Sequence, residues 1–251
     1  MQAYIGGIIP ISTVDWPRNI CTVIFFAGCD FKCPYCYNSN IVDFKEDFLK
    51  DLKEVKAEIR KNIGFIDGIL FSGGEPCLQP TALFNLAEYA KHFGLKIGIE
   101  TNGSKPYVIK KLLKENLLDF IGMDIKAPLK PKIFEKITQS KTFFKTTEEV
   151  LISIKQSLRI LKENENKIEI EIRTTVVPSL IYKKEDILEI AKLIKDLHCR
   201  WVLQQFRPDL GQPINPNFKN IDSPSKKFLE NLKEFCLKKY PNLRIEIKAV
   251  G

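Results

Sequence analysis

Cys29, Cys33 and Cys36 lie in the run Ala27-Gly28-Cys29-Asp30-Phe31-Lys32-Cys33-Pro34-Tyr35-Cys36-Tyr37-Asn38. The run leaves an apolar stretch, residues 21–26, that reads as a strand. Three thiolates on a tight loop can hold an iron–sulfur cluster with one iron left open. An open metal position is a place for chemistry, whereas a closed one is structural. The competing reading is structural zinc, which wants four ligands, often as two spaced pairs. No second pair follows here. Cys21, Cys77, Cys199 and Cys236 are scattered singles, and of the two histidines His92 sits in a predicted helix and His198 follows one. Cys21, Cys199 and Cys236 read as small buried hydrophobes.

Other candidates are weaker one by one. Gly73-Gly74-Glu75-Pro76 is either an ordinary turn or a place where backbone approaches a ligand closely. Glu100 and Asp124 end apolar strands. Each is either solvated there or able to accept hydrogen bonds from a ribose hydroxyl pair, as the acidic residue of dinucleotide folds does. Lys126 would offset their charge or hold a ligand carboxylate. Tyr35 either packs in the core or stacks on a base.

The elements that must position these residues alternate. Strands are expected at 21–26, 66–71, 96–100, 120–124, 168–177 and 201–206, with helices at about 45–62, 82–93, 107–115, 147–163 and 185–197. A last helix is expected from a Ser223 cap, with Pro224 in its first position, to about Tyr240, and 244–248 adds a short terminal strand. Six strand–helix units predict an α/β fold, a partial (β/α)6 TIM-like barrel. The strand ends carry the cysteine loop, Gly73-Gly74-Glu75, Glu100-Thr101-Asn102-Gly103, Asp124-Ile125-Lys126, Arg173-Thr174-Thr175-Val176, and Gln204, Gln205 and Arg207. In a parallel barrel these ends converge on the face where the site is built. Residues 127–146 form a long connection with Lys130, Lys132, Lys136, Lys141, Phe134, Phe143 and Phe144. It reads as a lid or partner surface, or as a helical insert packed on the barrel side.

Residues 1–251 read as one domain, with no linker, repeat or low-complexity tract. The net charge of +8 reflects a Lys/Glu-rich surface with lysines spread over helices, so nucleic acid is not an expected partner. No signal peptide or membrane span is expected. Seven cysteines without a leader suit a reducing cytoplasm.

Cys29-x3-Cys33-x2-Cys36 with Tyr35 before the last cysteine, followed by Gly73-Gly74-Glu75-Pro76, resembles the radical S-adenosylmethionine (SAM) superfamily. Ser12-Thr13-Val14-Asp15-Trp16-Pro17, Glu100-Thr101-Asn102-Gly103 and Asp124-Ile125-Lys126 narrow the resemblance to glycyl-radical-enzyme activating proteins, in particular the anaerobic ribonucleoside-triphosphate reductase activators. The resemblance implies a radical SAM type barrel with a [4Fe–4S] cluster on Cys29, Cys33 and Cys36, whose fourth iron chelates SAM. It further implies that Gly73, Gly74 and Glu75 receive the SAM amino group, that Tyr35 and Val176 lie by the adenine, and that Glu100, Thr101, Asn102, Asp124 and Lys126 contact SAM and, in some relatives, a monovalent cation. The implied activity is reductive cleavage of SAM to a 5′-deoxyadenosyl radical that abstracts a glycine α-hydrogen from a partner enzyme, with ferredoxin or flavodoxin as reductant. A small-molecule or RNA substrate, and a non-catalytic zinc or iron–sulfur protein, are the alternatives. The chain departs from the family pattern in four places, one being that a late histidine of the formate-lyase activators has no counterpart and Gln204 or Gln205 stands at the sixth strand end instead. Arg18 stands where many relatives have Gly, Glu100 where they have Asp, and Tyr37 where formate-lyase activators have His.

Overall fold

The computed structural model describes residues 1–250. Its strands are β1 (Gln2–Ser12), β2 (Cys21–Phe26), β3 (Leu49–Asp51), β4 (Gly68–Gly73), β5 (Lys96–Thr101), β6 (Phe120–Asp124), β7 (Glu169–Val176), β8 (Arg200–Gln205) and β9 (Arg244–Lys248). The helices are α1 (Leu52–Asn62), α2 (Pro80–His92), α3 (Pro106–Lys114), α4 (Pro131–Thr138), α5 (Thr147–Asn164), α6 (Lys184–Ile194) and α7 (Lys226–Lys239). The sheet order is β3-β1-β2-β4-β5-β6-β7-β8-β9. β1 runs antiparallel to both its neighbours, and every pair from β2 to β9 is parallel. The expected six strand–helix units are present as a partial barrel, open between its two edge strands.

Strand alternation divides the chain's apolar residues between two cores. Ile69, Phe71, Ile97, Ile99, Ile121, Met123, Ile170 and Ile172 face the helices and are fully or almost fully buried. The opposite parity faces the barrel interior, where Trp16, Cys21, Val23, Leu70 and Phe120 form a second small cluster. Trp16 enters this space from the β1–β2 connection and stacks on Phe120 at 5.3 Å. Gly68 gives it room, since a Cβ there would stand 2.8 Å from the indole. Further along the same parity, toward the strand C-termini, come Ser72, Glu100, Asp124, Arg173, Thr175, Gln204 and Lys248. The interior is therefore apolar at one level and polar at the next.

Three elements differ from expectation. β1 is a strand although Gly6, Gly7 and Pro10 interrupt it. Register shifts between Ile5 and Gly7 and between Ile9 and Ser12 absorb the irregular residues. The helix expected over 45–62 begins only at Leu52. Residues Leu49–Asp51 pair instead with Gln2–Tyr4, and the Asp51 carboxylate caps α1 by accepting from Lys53 N at 2.8 Å. α7 is capped by Ser225, not Ser223: its hydroxyl accepts from Phe228 N at 3.1 Å, and Pro224 lies outside the helix.

Candidate active site

β2 ends at Phe26, and its chain turns through Gly28 (φ +92°) into the cysteine loop. Gly73 and Gly74, at the end of β4, lie directly against this exit. A Cβ on Gly73 would stand 2.2 Å from Phe26 O, and one on Gly74 2.2 Å from Gly28 O. Their close approach is thus to protein backbone. Gly74 N donates to Phe26 O, and Glu75 N to Gly28 O, both at 2.8 Å.

Cys29, Cys33 and Cys36 line one cavity of about 300 Å³. Tyr35, Gly73, Gly74, Glu100, Thr101, Asn102, Asp124 and Lys126 share that lining. Burial is the first cause of a raised pKa in all three cysteines, and it pushes the Cys33 thiol up to about 12. A metal binding here would have to displace those protons.

Two sequence candidates lie outside the lining. Val176 is fully buried and has the opposite strand parity to Thr175. Glu75 is fully buried as a crosslink between strand ends. It accepts from Cys77 N at 3.1 Å, Thr101 Oγ1 at 2.8 Å and Asn102 N at 2.7 Å. Burial, then the charge of Asp30, raises its carboxyl to about 7 against the three donors. Asn102 works both ways, since its side chain also donates to Asp30 Oδ1 at 2.8 Å.

Asp30, between Cys29 and Phe31, stands beside the cavity and is not among the residues singled out from sequence. Its carboxylate accepts from Ser104 Oγ at 2.7 Å and Lys105 Nζ at 2.8 Å. Burial would raise its pKa, but Lys105, Ser104 and Asn102 outweigh it and hold the group below the usual range. Phe31 is likewise buried, meeting Phe134 of α4 edge-on at 5.8 Å, and Lys32 N donates to Thr138 O at 2.9 Å. A charged residue inside the cysteine loop is the signal that could have flagged Asp30.

Arg173 is the second such residue. Its Nε donates to Asp124 Oδ1 at 2.9 Å, and its Nη1 pairs with Glu100. Gly122 on the neighbouring strand leaves its space, since a Cβ there would lie 3.2 Å from the guanidinium carbon. Ser72 Oγ donates to Glu100 Oε2 at 2.6 Å, and Lys126 Nζ to Asp124 Oδ2 at 3.0 Å. Burial would raise the Asp124 pKa, but Arg173 and then Lys126 hold it below the usual carboxylate range. A lone arginine in a buried strand beside a glycine on its neighbour was the readable signal.

A strap from the β8–α7 connection completes the site. Ile214 N donates to Cys36 O at 3.2 Å, and Asn215 N to Pro34 O at 2.9 Å. Gly211 packs so closely on Tyr37 that a Cβ would meet Tyr37 O at 2.7 Å.

Three thiols beside a polar cavity at the C-terminal ends of a partial parallel barrel form a site fitted to hold a group on those thiols. A family model for the radical SAM superfamily matches residues 23–160. A protein of Methanocaldococcus jannaschii, named for activating a glycyl-radical enzyme, is 35% identical over 98% of this chain and 96% of its own length. The pyruvate formate-lyase-activating enzyme of Clostridium pasteurianum is 32% identical over 77% of this chain and 76% of its own. A radical SAM methyltransferase from Sphaerobacter thermophilus has the same fold, with a TM-score of 0.65 at 12% identity over 98% of this chain and 77% of that one. QueE from Escherichia coli does also, with a TM-score of 0.56 at 15% identity over 100% and 95%. The chain belongs to the glycyl-radical-enzyme activating enzymes of the radical SAM superfamily. That membership sets the non-catalytic alternatives aside.

The family's cofactors are a [4Fe–4S] cluster and SAM, and the donor set fits them. Three thiols can serve three irons, and the cavity beside them offers both carboxylate and ammonium partners to an amino acid with a ribose.

Proposed function

We propose that this chain, with residues 1–251 acting as one domain, holds a [4Fe–4S] cluster on Cys29, Cys33 and Cys36 and binds SAM in the adjoining cavity. When bound, these groups supply a 5′-deoxyadenosyl radical, which takes an α-hydrogen from a glycine of a partner enzyme. The observation carrying this reading is the shared lining of the three thiols with Glu100, Asp124 and Lys126. Carbonyls at Gly73 and Gly74 accept the SAM ammonium, and Lys126 balances its carboxylate. Glu100 and Asp124 accept from the ribose hydroxyls, while Tyr35 and the neighbouring Val176 border the adenine. Thr101 and Asn102 hold their strand end in place through Glu75 and Asp30. A monovalent cation would have to compete with Arg173 and Lys126 for the Glu100 and Asp124 oxygens, and these two side chains take its place.

The cavity extends past Gln204 to Lys248 on the edge strand β9, which gives a protein loop a lateral way in. No helix among the described residues is long and apolar enough to cross a membrane. All seven cysteines are free, which supports a reducing, cytoplasmic setting. The proposed partner is an anaerobic ribonucleotide reductase, on the strength of the motif resemblance.

Anaerobic reconstitution with iron and sulfide tests the reading. The expected result is a brown protein that releases 5′-deoxyadenosine from SAM under reduction and gives a glycyl-radical EPR doublet with the reductase. Reductive SAM cleavage without a doublet on that reductase would reject the partner alone. A colourless protein would reject the whole assignment.

A further inference from the structure

Residues 139–146 connect α4 to α5 and carry Phe143 and Phe144, which are 96% and 92% exposed. The two rings sit edge-to-face at 5.1 Å and touch no core. Adjacent aromatics so fully in water are a cost that a folded chain does not need for its own stability. Before and between them the charge is mainly positive, with Glu148 and Glu149 following at the start of α5 and Glu149 engaged in capping it. Residues 130–145 hold five lysines and one glutamate. Lys132, Lys136 and Lys141 are exposed, while Lys130 pairs with Glu189 at 3.6 Å. Glu135 turns inward and accepts from Ser140 Oγ at 3.2 Å and Lys141 N at 3.0 Å. The exposed face is therefore basic with an aromatic centre.

Its place in the fold selects the partner. No residue of 127–146 lines the cavity, so the segment is not a lid over it. It is built onto the cysteine loop instead. Thr138 O receives Lys32 N, Phe134 packs on Phe31, and Lys145 Nζ reaches Ser104 O at 3.4 Å, beside the Asp30 clamp. A molecule docked here approaches the cysteines from outside without entering the substrate space. That suits a donor of electrons, which need proximity and no bond, and not a protein that must insert a glycine into the cavity.

We propose that the 130–145 surface is the docking site for a small acidic one-electron carrier protein, with Phe143 and Phe144 as its apolar anchor and Lys132, Lys136 and Lys141 steering the encounter. This inference rests on the cluster assignment above. In the step itself one electron passes from carrier to bound cluster. The carrier is oxidised, the cluster is reduced, and no bond forms or breaks.

The test is stopped-flow reduction of the reconstituted enzyme, followed as bleaching of the cluster's visible absorption. The reductants are flavodoxin hydroquinone and, separately, dithionite. F143S/F144S is expected to lower the second-order rate with flavodoxin about tenfold, the scale of losing a hot-spot anchor. Its rate with dithionite should match wild type. K136E/K141E should also slow flavodoxin and flatten the fall of its rate with ionic strength. Variants that equal wild type with flavodoxin, equal losses with both reductants, or a salt-independent wild-type rate would each overturn the docking site. A wild-type chain that assembles no cluster would instead overturn the cofactor assignment, and the docking site with it.

Discussion

Arg173→Met is the most informative single change. The Arg173 side chain is 12% exposed and its guanidinium sits between two carboxylates on largely buried side chains, Glu100 and Asp124. Methionine keeps much of the volume and removes the charge. Glu100 would retain Ser72, and Asp124 would retain Lys126, but nothing would join them. Breaking a buried pair by removing one partner costs about 3–5 kcal/mol. The two surviving partners place this site at the lower end, about 3 kcal/mol. For a chain of this size that is a fall in melting temperature of about 6–12 °C. The pH dependence has a definite sign. Asp124 is held low in the folded wild type, so its contribution is present above the unfolded carboxylate range, near 4, and fades as pH falls. Without Arg173 that contribution shrinks. The gap between wild type and variant should therefore be widest at neutral pH and narrow as acid protonates Asp124 in the variant. Circular dichroism melts of cluster-free protein at several pH values read both effects. Arg173→Lys should lie between them, because an ammonium cannot bridge both acids as the planar fork does. A neutral-pH melting point within about 2 °C of wild type would refute the bridging role. So would a loss that is the same at every pH.

Glu75 gives the opposite sign. Its carboxyl is raised from the ordinary 4.5 to about 7, so the folded state holds the proton more tightly, and stability from this group is lost as pH rises across that window. Glu75→Gln should remove that slope from the urea-stability profile, by up to about 3 kcal/mol between its ends. Gly74→Ala places a Cβ against the Gly28 carbonyl. Calorimetry should show a loss of about 1–3 kcal/mol, with reduced iron content after reconstitution. Gly211→Ala lifts the strap from Tyr37. It should speed iron loss to a chelator while leaving the cluster-free melting point within about 2 °C of wild type.

Where the sequence could be read, a simple periodicity was at work. The parallel strands are buried on both faces, so their apolar runs announce themselves, and barrel topology alone gathers their polar ends. That is why Cys29, Cys33, Cys36, Glu100, Asp124 and Lys126 could be grouped without coordinates, and why all six line one cavity. What resisted reading were matters of side-chain direction. Glu75 and Asn102 belong to motifs at strand ends, yet their side chains bind other loops, because three donors converge on one carboxylate and a second carboxylate waits beside them. No spacing rule encodes that convergence. β1 was hidden for another reason. Glycine and proline normally argue against a strand, and here two register shifts carry them. Arg173 was visible at its strand end, but its partners arrive from two other strands.

The two levels of the barrel interior explain each other. Glu100, Asp124, Lys126 and Arg173 are charges withdrawn from water, and such sets stabilise a fold poorly even when well paired. A wholly polar lumen would also admit water beneath the proposed radical site. Trp16 answers both needs. It fills the lower interior against Phe120 and Leu70 and is itself 1% exposed. Its connection also carries Asp15 up to the cavity wall. The indole N–H has no protein hydrogen-bond partner among the described residues, and a buried donor with none at all would cost about 1–3 kcal/mol. Burying an aromatic side chain of this size contributes a similar or larger amount. The tryptophan therefore acts as a floor, and the antiparallel β1 that delivers it is as much a part of the site as the strands bearing the acids.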